Sequence, residues 1–139
     1  MIELVANDLY VETYLKIRAK VNWKELTYEQ AQKALANSLY TVVAIEDDKV
    51  LGMGRIVGDG AVICYVQDLI IVPEAQGKGI GKLIVEDLKR YVRSIQLEGT
   101  EMMLDLMCAK GREQFYEKMG FTARPTDTLG PGMIQFLKK

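Results

Sequence analysis

The stretch from Val66 to Tyr91, VQDLIIVPEAQGKGIGKLIVEDLKRY, limits what this chain can fold into more than any other. An apolar, β-branched run, Leu69-Ile70-Ile71-Val72, stops at Pro73 and reads as a buried strand. Proline cannot donate to a ladder, so the strand ends there or becomes an edge. The glycine-rich turn Gln76-Gly77-Lys78-Gly79-Ile80-Gly81 follows. Leu83, Ile84, Leu88 and Tyr91 then recur at a spacing that gathers them on one side of a helix. The order is strand, glycine turn, helix.

That order has a chemical use. The first N–H groups of a helix have no intrahelical partner, and the helix dipole is positive at that end. Glycines let an anion approach the backbone with no Cβ in the way, and Lys78 and Lys82 add positive charge. The turn is therefore a candidate phosphate cradle. It is not a Walker loop, because Gly-Lys is followed by Gly79 in one instance and Leu83 in the other. It is not a dinucleotide fingerprint, because the spacing is G-x-G-x-G and the segment lies mid-chain. A helix-entry turn also uses glycines for geometry alone, and on the hexapeptide by itself that reading stays open.

What remains is Gln-x-x-Gly-x-Gly, carried by Gln76, Gly79 and Gly81 after a strand. It resembles the acetyl-CoA-binding signature of the GNAT N-acetyltransferase superfamily. A second element, Gln114-Phe115-Tyr116-Glu117-Lys118-Met119-Gly120-Phe121, resembles the Tyr-x-x-x-Gly-Phe segment of the same enzymes. The resemblance covers the last two-thirds of the chain well and the first third loosely. It implies a GNAT acyl-CoA N-acyltransferase fold: α+β, a central mixed sheet flanked by about four helices, in one domain over residues 1–139.

Residue order supports that class without the resemblance. Strands are expected at Met1 to Val5, Leu39 to Glu46, Lys49 to Val57, Ala61 to Val72 and Met102 to Met107, at Phe121, and at Met133 to Leu137. Asn7 or Asp8 can cap a helix to about Lys20, with Leu9, Tyr14, Leu15 and Ile17 packing. Thr27-Tyr28-Glu29-Gln30 reads as a capping box opening a second helix to about Ser38. A third helix ends near Ile95, and a fourth, Arg112 to Met119, is closed by Gly120. Asp47-Asp48 and Gly58-Asp59-Gly60 read as turns. Gly52 and Gly54 suggest a bulge or a close approach. Elements in this order make a mixed sheet with helices on both faces.

Composition excludes several function classes. The net charge of −1 over 139 residues predicts neither nucleic-acid nor anionic-membrane binding. No apolar run approaches the ~20 residues of a membrane span, and no basic-then-apolar leader opens the chain, so a cytoplasmic protein is expected. There is no histidine, and Cys64 and Cys108 lack CxxC spacing. A metal site or a Ser-His-Asp triad is therefore not expected.

The resemblance implies acetyl-CoA as cosubstrate and direct acetyl transfer to a primary amine of a small molecule or a protein. It assigns Gly77 through Lys82, with Gln76, to the pyrophosphate, and Leu69, Ile70 and Ile71 to the pantetheine arm. A backbone N–H near Ile71 would hold the thioester carbonyl. Tyr116 would protonate the leaving thiolate as general acid. Asp68 is the leading carboxylate candidate for general base, with Glu74 and Asp105 behind it, and a water chain serves equally well. The other reading of Asp68 is a charge facing solvent or paired with Arg55. Phe115 and Phe121 read as packing.

Two positions depart from the family pattern. Ala109 stands where Asn is common, and Arg112 stands where a small residue is common, so coenzyme contacts from that helix are not carried over. Trp23, Tyr28 and Tyr40 are candidate acceptor-wall residues and equally candidate packing residues. Homodimerisation follows from the superfamily habit alone. The alternative function is a non-catalytic acyl-CoA sensor on the same fold.

Overall fold

In the computed structural model, which describes residues 1–139, the chain forms two compact units, Met1–Leu106 and Met107–Lys139. The first unit holds a five-stranded sheet: β1 (Glu3–Ala6), β2 (Tyr40–Glu46), β3 (Lys49–Gly58), β4 (Ile63–Ile71) and β5 (Met103–Leu106), in that spatial order. The first four strands form an antiparallel meander, and β4 and β5 are parallel. A parallel pair needs a long crossover. Here it is the helix α3 (Ile80–Ile95), numbered after α1 (Val11–Lys20) and α2 (Tyr28–Ala36).

Local chemistry accounts for most of the boundaries. Asp47 and Asp48 take φ of 51° and 63°, the left-handed pair that a two-residue hairpin requires and that Asp tolerates. Thr27 caps α2, its Oγ1 accepting from the Gln30 backbone N–H at 3.0 Å. Asp59 closes the β3–β4 turn by accepting from the N–H groups of Ala61, Val62 and Ile63. Those bonds hold its carboxyl below the usual carboxylate range.

Helices cover both faces of the sheet. Successive side chains on a strand point to opposite faces. Arg55 reaches Tyr14 of α1 and Ala34 of α2, whereas a side chain at the adjacent Gly54 would meet Ile84 and Leu88 of α3. Gly52 and Gly54 thus mark the close approach that the sequence suggests. A bulge lies beside Gly52, at Ala44/Ile45 in the β2–β3 register. A Cβ at Gly54 would lie 2.8 Å from Ile84 Cγ2 and 3.1 Å from Leu88 Cδ1. Gly54→Ala is therefore expected to cost about 1–3 kcal/mol by overpacking. Urea denaturation measures this, and a loss below about 0.5 kcal/mol would mean that α3 does not seat tightly on β3.

Two expectations are corrected. Neither Asn7 nor Asp8 caps α1. The helix opens at Val11 with Tyr10 as its cap residue and no capping side chain. Asn7 instead takes φ 55° and ends β1, its Oδ1 accepting from Thr41 N–H at 3.1 Å. In the second unit, α4 (Glu113–Lys118) forms as expected and is closed by Gly120 at φ 96°, but no strand forms at Phe121 or over Met133–Leu137. Strand propensity becomes a strand only when a ladder partner is present. No helix is long and apolar enough to cross a membrane.

Candidate active site

β4 carries the site because its two sides are treated differently. On one side it pairs with β3 over most of its length, up to Ile71 opposite Gly52. On the other side it pairs with β5 only from Ile63 to Val66. From Gln67 to Ile71 that second side has no strand partner. Leu69, Ile70 and Ile71 thus lie where β4 and β5 part, and backbone polar groups there are open to an extended ligand. Ile70 is buried, and Leu69 and Ile71 are half-buried.

The chain leaves β4 through a single 3₁₀ turn, Pro73–Ala75, and enters the glycine turn. Gln76 donates from Nε2 to the Ile71 carbonyl at 3.1 Å, tying the turn back to the strand end. Gly77 and Gly79 have φ of 81° and 80°, and nothing lies within 4 Å of where a Cβ would sit on either. Gly79 is the cap residue of α3, and no side chain caps the helix. The first turn of α3 has no acidic residue. Its leading N–H groups therefore face open space at the positive end of a 16-residue helix. Ile80 is buried, so it anchors the helix by its side chain and can offer a ligand only its backbone. Gly81 is half-buried, while Lys78 and Lys82 are exposed. Lys82 lies 3.9 Å from Glu86, a loose surface pair.

Asp68 has a different setting. It is 1% exposed. Its Oδ2 accepts from Tyr14 Oη at 2.7 Å and Arg55 Nε at 2.6 Å, and its Oδ1 lies 3.5 Å from Arg18 Nη1. This is the Arg55 pairing the sequence held as the other reading, with two further partners. The carboxylate is shut from solvent and held by two guanidiniums and a phenol. Glu74, by contrast, is exposed and pairs with Lys20 at 3.4 Å.

Arg18 and Tyr14 were not legible as site residues. Their i, i+4 spacing on α1 was visible, but which strand charge they meet was not. The Arg18 guanidinium lies over the Tyr14 ring at 5.6 Å and the Trp23 ring at 5.4 Å. Trp23 and Tyr28 are both partly open to solvent. Tyr40 is buried, stacked on Tyr91 at 4.3 Å, and donates to Asp87 at 2.5 Å; it is a packing residue.

A cleft of about 450 Å³ lies in the same unit between α1 and the ends of β3 and β4. Lys16, Lys20, Lys49 and Glu74 form its charged lining. Of the site residues expected from the sequence, only Glu74, a secondary carboxylate candidate, lines it.

Tyr116 belongs to the second unit. It sits on α4, edge-on to Phe115 at 5.0 Å and Phe121 at 5.8 Å. Burial, and secondarily Cys108, pushes its phenol up to about 12. A phenol in that state holds its proton throughout the neutral range, as a proton donor must.

Comparison with known proteins names the family. The acetyltransferase (GNAT) domain matches residues 37–123, and the chain belongs to the GNAT acetyltransferases. It is an acyltransferase. An uncharacterized ycf52-like N-acetyltransferase from Prochlorococcus marinus is 29% identical over 86% of this chain and 73% of its own length. The chloroplastic GCN5-related N-acetyltransferase 2 of Arabidopsis thaliana is 31% identical over 61% of this chain, a region that is only 31% of the relative. Among solved structures, a probable acetyltransferase of unknown function from Staphylococcus aureus superposes with a TM-score of 0.85 at 28% identity, over 99% of this chain and 100% of that one. A GNAT protein from Streptococcus pneumoniae gives 0.80 at 27% identity over the whole of both chains.

Proposed function

We propose that this protein is an acetyl-CoA-dependent N-acetyltransferase that moves an acetyl group directly to a primary amine of a small molecule or protein. The open amino end of α3, entered through left-handed glycines with no side chain near them, carries the reading. A diphosphate fits there because the N–H groups from Ile80 onward and the residues Gln76 to Lys82 offer donors and positive potential without a carboxylate to repel it. The partnerless side of β4 from Gln67 to Ile71 suits the amide-bearing arm.

When bound, acetyl-CoA supplies the activated acetyl thioester. Backbone N–H groups near Ile71 hold the negative charge that develops on the carbonyl oxygen. Tyr116 donates its phenolic proton to the departing sulfur. Asp68 is assigned a positioning part, holding Tyr14, Arg18 and Arg55 in register, and the proton of the attacking amine passes to water.

The test is ligand-linked stability. Acetyl-CoA at 100 times its Kd is expected to raise unfolding stability by about 2.7 kcal/mol. Gly79→Val should remove the shift, because a β-branched residue is strained at φ 80°. An equal or larger shift with ATP or NAD would overturn the reading. Thiol release across a panel of amines then identifies the acceptor.

A further inference from the structure

The cleft between α1 and the ends of β3 and β4 takes no part in the transfer proposed above. At about 450 Å³ it has room for a small organic molecule. Its floor is apolar: Ile17 and Val72 are buried, and Val50 and Leu51 are half-buried. Its rim is basic. Lys16 and Lys20 stand one turn apart on α1, Lys49 opens β3, and all three are exposed.

Charge is uneven here. The lining holds three ammonium groups and one carboxylate, Glu74, which leaves two positive charges unmatched in a chain whose net charge is −1. Asp47 and Asp48 stand in the adjoining hairpin turn but outside the lining. Lys20 Nζ lies 3.4 Å from Glu74 Oε1, whereas Lys16 and Lys49 are in no ion pair. The Glu74 carboxyl is held below the usual carboxylate range, first by a bond from its own backbone N–H and then by the charges of Lys20 and Lys49. A side-chain carboxylate thus already fills part of an anion's place. Concave walls of low polarity focus the remaining field.

We propose that this cleft binds an organic phosphate monoester, with the phosphate among Lys16, Lys20 and Lys49 and the organic part on Ile17, Leu51 and Val72. The two unmatched charges equal those of such a phosphate near neutral pH. Lysine binds phosphate as a point charge on a flexible stem, which suits a group held at an open rim. Inorganic phosphate alone would leave the apolar floor uncovered. A neutral or cationic molecule would leave the ammonium groups unmatched. The site is distinct from the glycine turn, since none of Gln76 to Lys82 lines it. The assignment is therefore independent of what that turn holds.

Calorimetric titration of the full chain with phenyl phosphate is the test, with inorganic phosphate and phenol as its separate parts. Phenyl phosphate is expected to bind at least about tenfold more tightly than either part, its ring lying on the apolar floor. Lys16→Ala with Lys49→Ala should weaken it roughly tenfold, and Glu74→Gln should tighten it about threefold by freeing Lys20. Added salt should weaken binding to the wild type. These substituted side chains are exposed, so an unchanged unfolding midpoint is expected beside the change in affinity. A phosphate also has the open start of α3 available, and Gly79→Val separates the two places. That variant should bind phenyl phosphate within about twofold of the wild type, since each tenfold change needs 1.4 kcal/mol of lost contact. Binding lost in Gly79→Val but kept in the lysine variant would put the phosphate on the glycine turn and overturn the proposal. So would weaker binding in Glu74→Gln, inorganic phosphate binding as tightly as phenyl phosphate, or no binding of phenyl phosphate to the wild type.

Discussion

Replacing Tyr116 with Phe is expected to lower kcat by about 10²–10⁴-fold while leaving acetyl-CoA affinity unchanged. The variant keeps the ring, and with it the edge-on contacts to Phe115 and Phe121. It removes only the hydroxyl. Thiol release measures kcat, and ligand-linked stability measures affinity. A variant with full turnover would end the acid assignment. A protein with no turnover in either form, but intact coenzyme binding, would be the non-catalytic sensor. The phenol also makes a prediction about pH. Its folded-state pKa is raised, to about 12, above the ordinary 10. The protonated form is therefore the one the fold favours, fully present below pH 10 and lost only as pH climbs toward 12. Phenolate absorbance should show Tyr116 among the late-ionising tyrosines, and Tyr116→Phe should remove one ionisation from that group. No limb from Tyr116 should enter a rate profile between pH 6 and 9, roughly three units below the phenol.

The second large effect is on stability. Asp68→Asn is expected to cost about 3–5 kcal/mol, because removing one member of a buried ion pair leaves charge uncompensated. Here two guanidiniums, Arg55 and Arg18, would face a neutral amide. Asp68→Leu combined with Arg55→Met should recover part of the loss, since apolar replacement of both partners removes the stranded charge. Urea denaturation reads both. A cost below about 1 kcal/mol would mean the network does not hold α1 to the sheet. The same variant separates positioning from base catalysis. If Asp68 took the amine proton, Asp68→Asn would abolish turnover even under conditions where it stays folded. With Asp68 in a positioning part, turnover persists in the folded fraction.

What could be read in the residues is what is set locally. The glycine turn was legible because only glycine takes φ near 80° without strain, and because a helix start with no capping side chain must leave N–H groups open. The Thr27 cap, the Asp47-Asp48 hairpin and the end of α3 at Ile95 were legible for the same reason: each depends on bonds between residues a few positions apart. The fold class followed from the order of those elements.

Tertiary structure alone decided the rest. Asp68 looked like a site carboxylate because it adjoins the cradle in sequence; its burial against Arg55, Arg18 and Tyr14 joins residues up to 54 positions apart. Asn7 looked like a helix cap until β2 offered it the backbone of Thr41. Met133 to Leu137 reads as a strand from its apolar residues, yet no strand forms there, because strand preference is fulfilled only in its tertiary context. Local sequence determines which shapes a segment can take, and the long-range partner determines which one it takes.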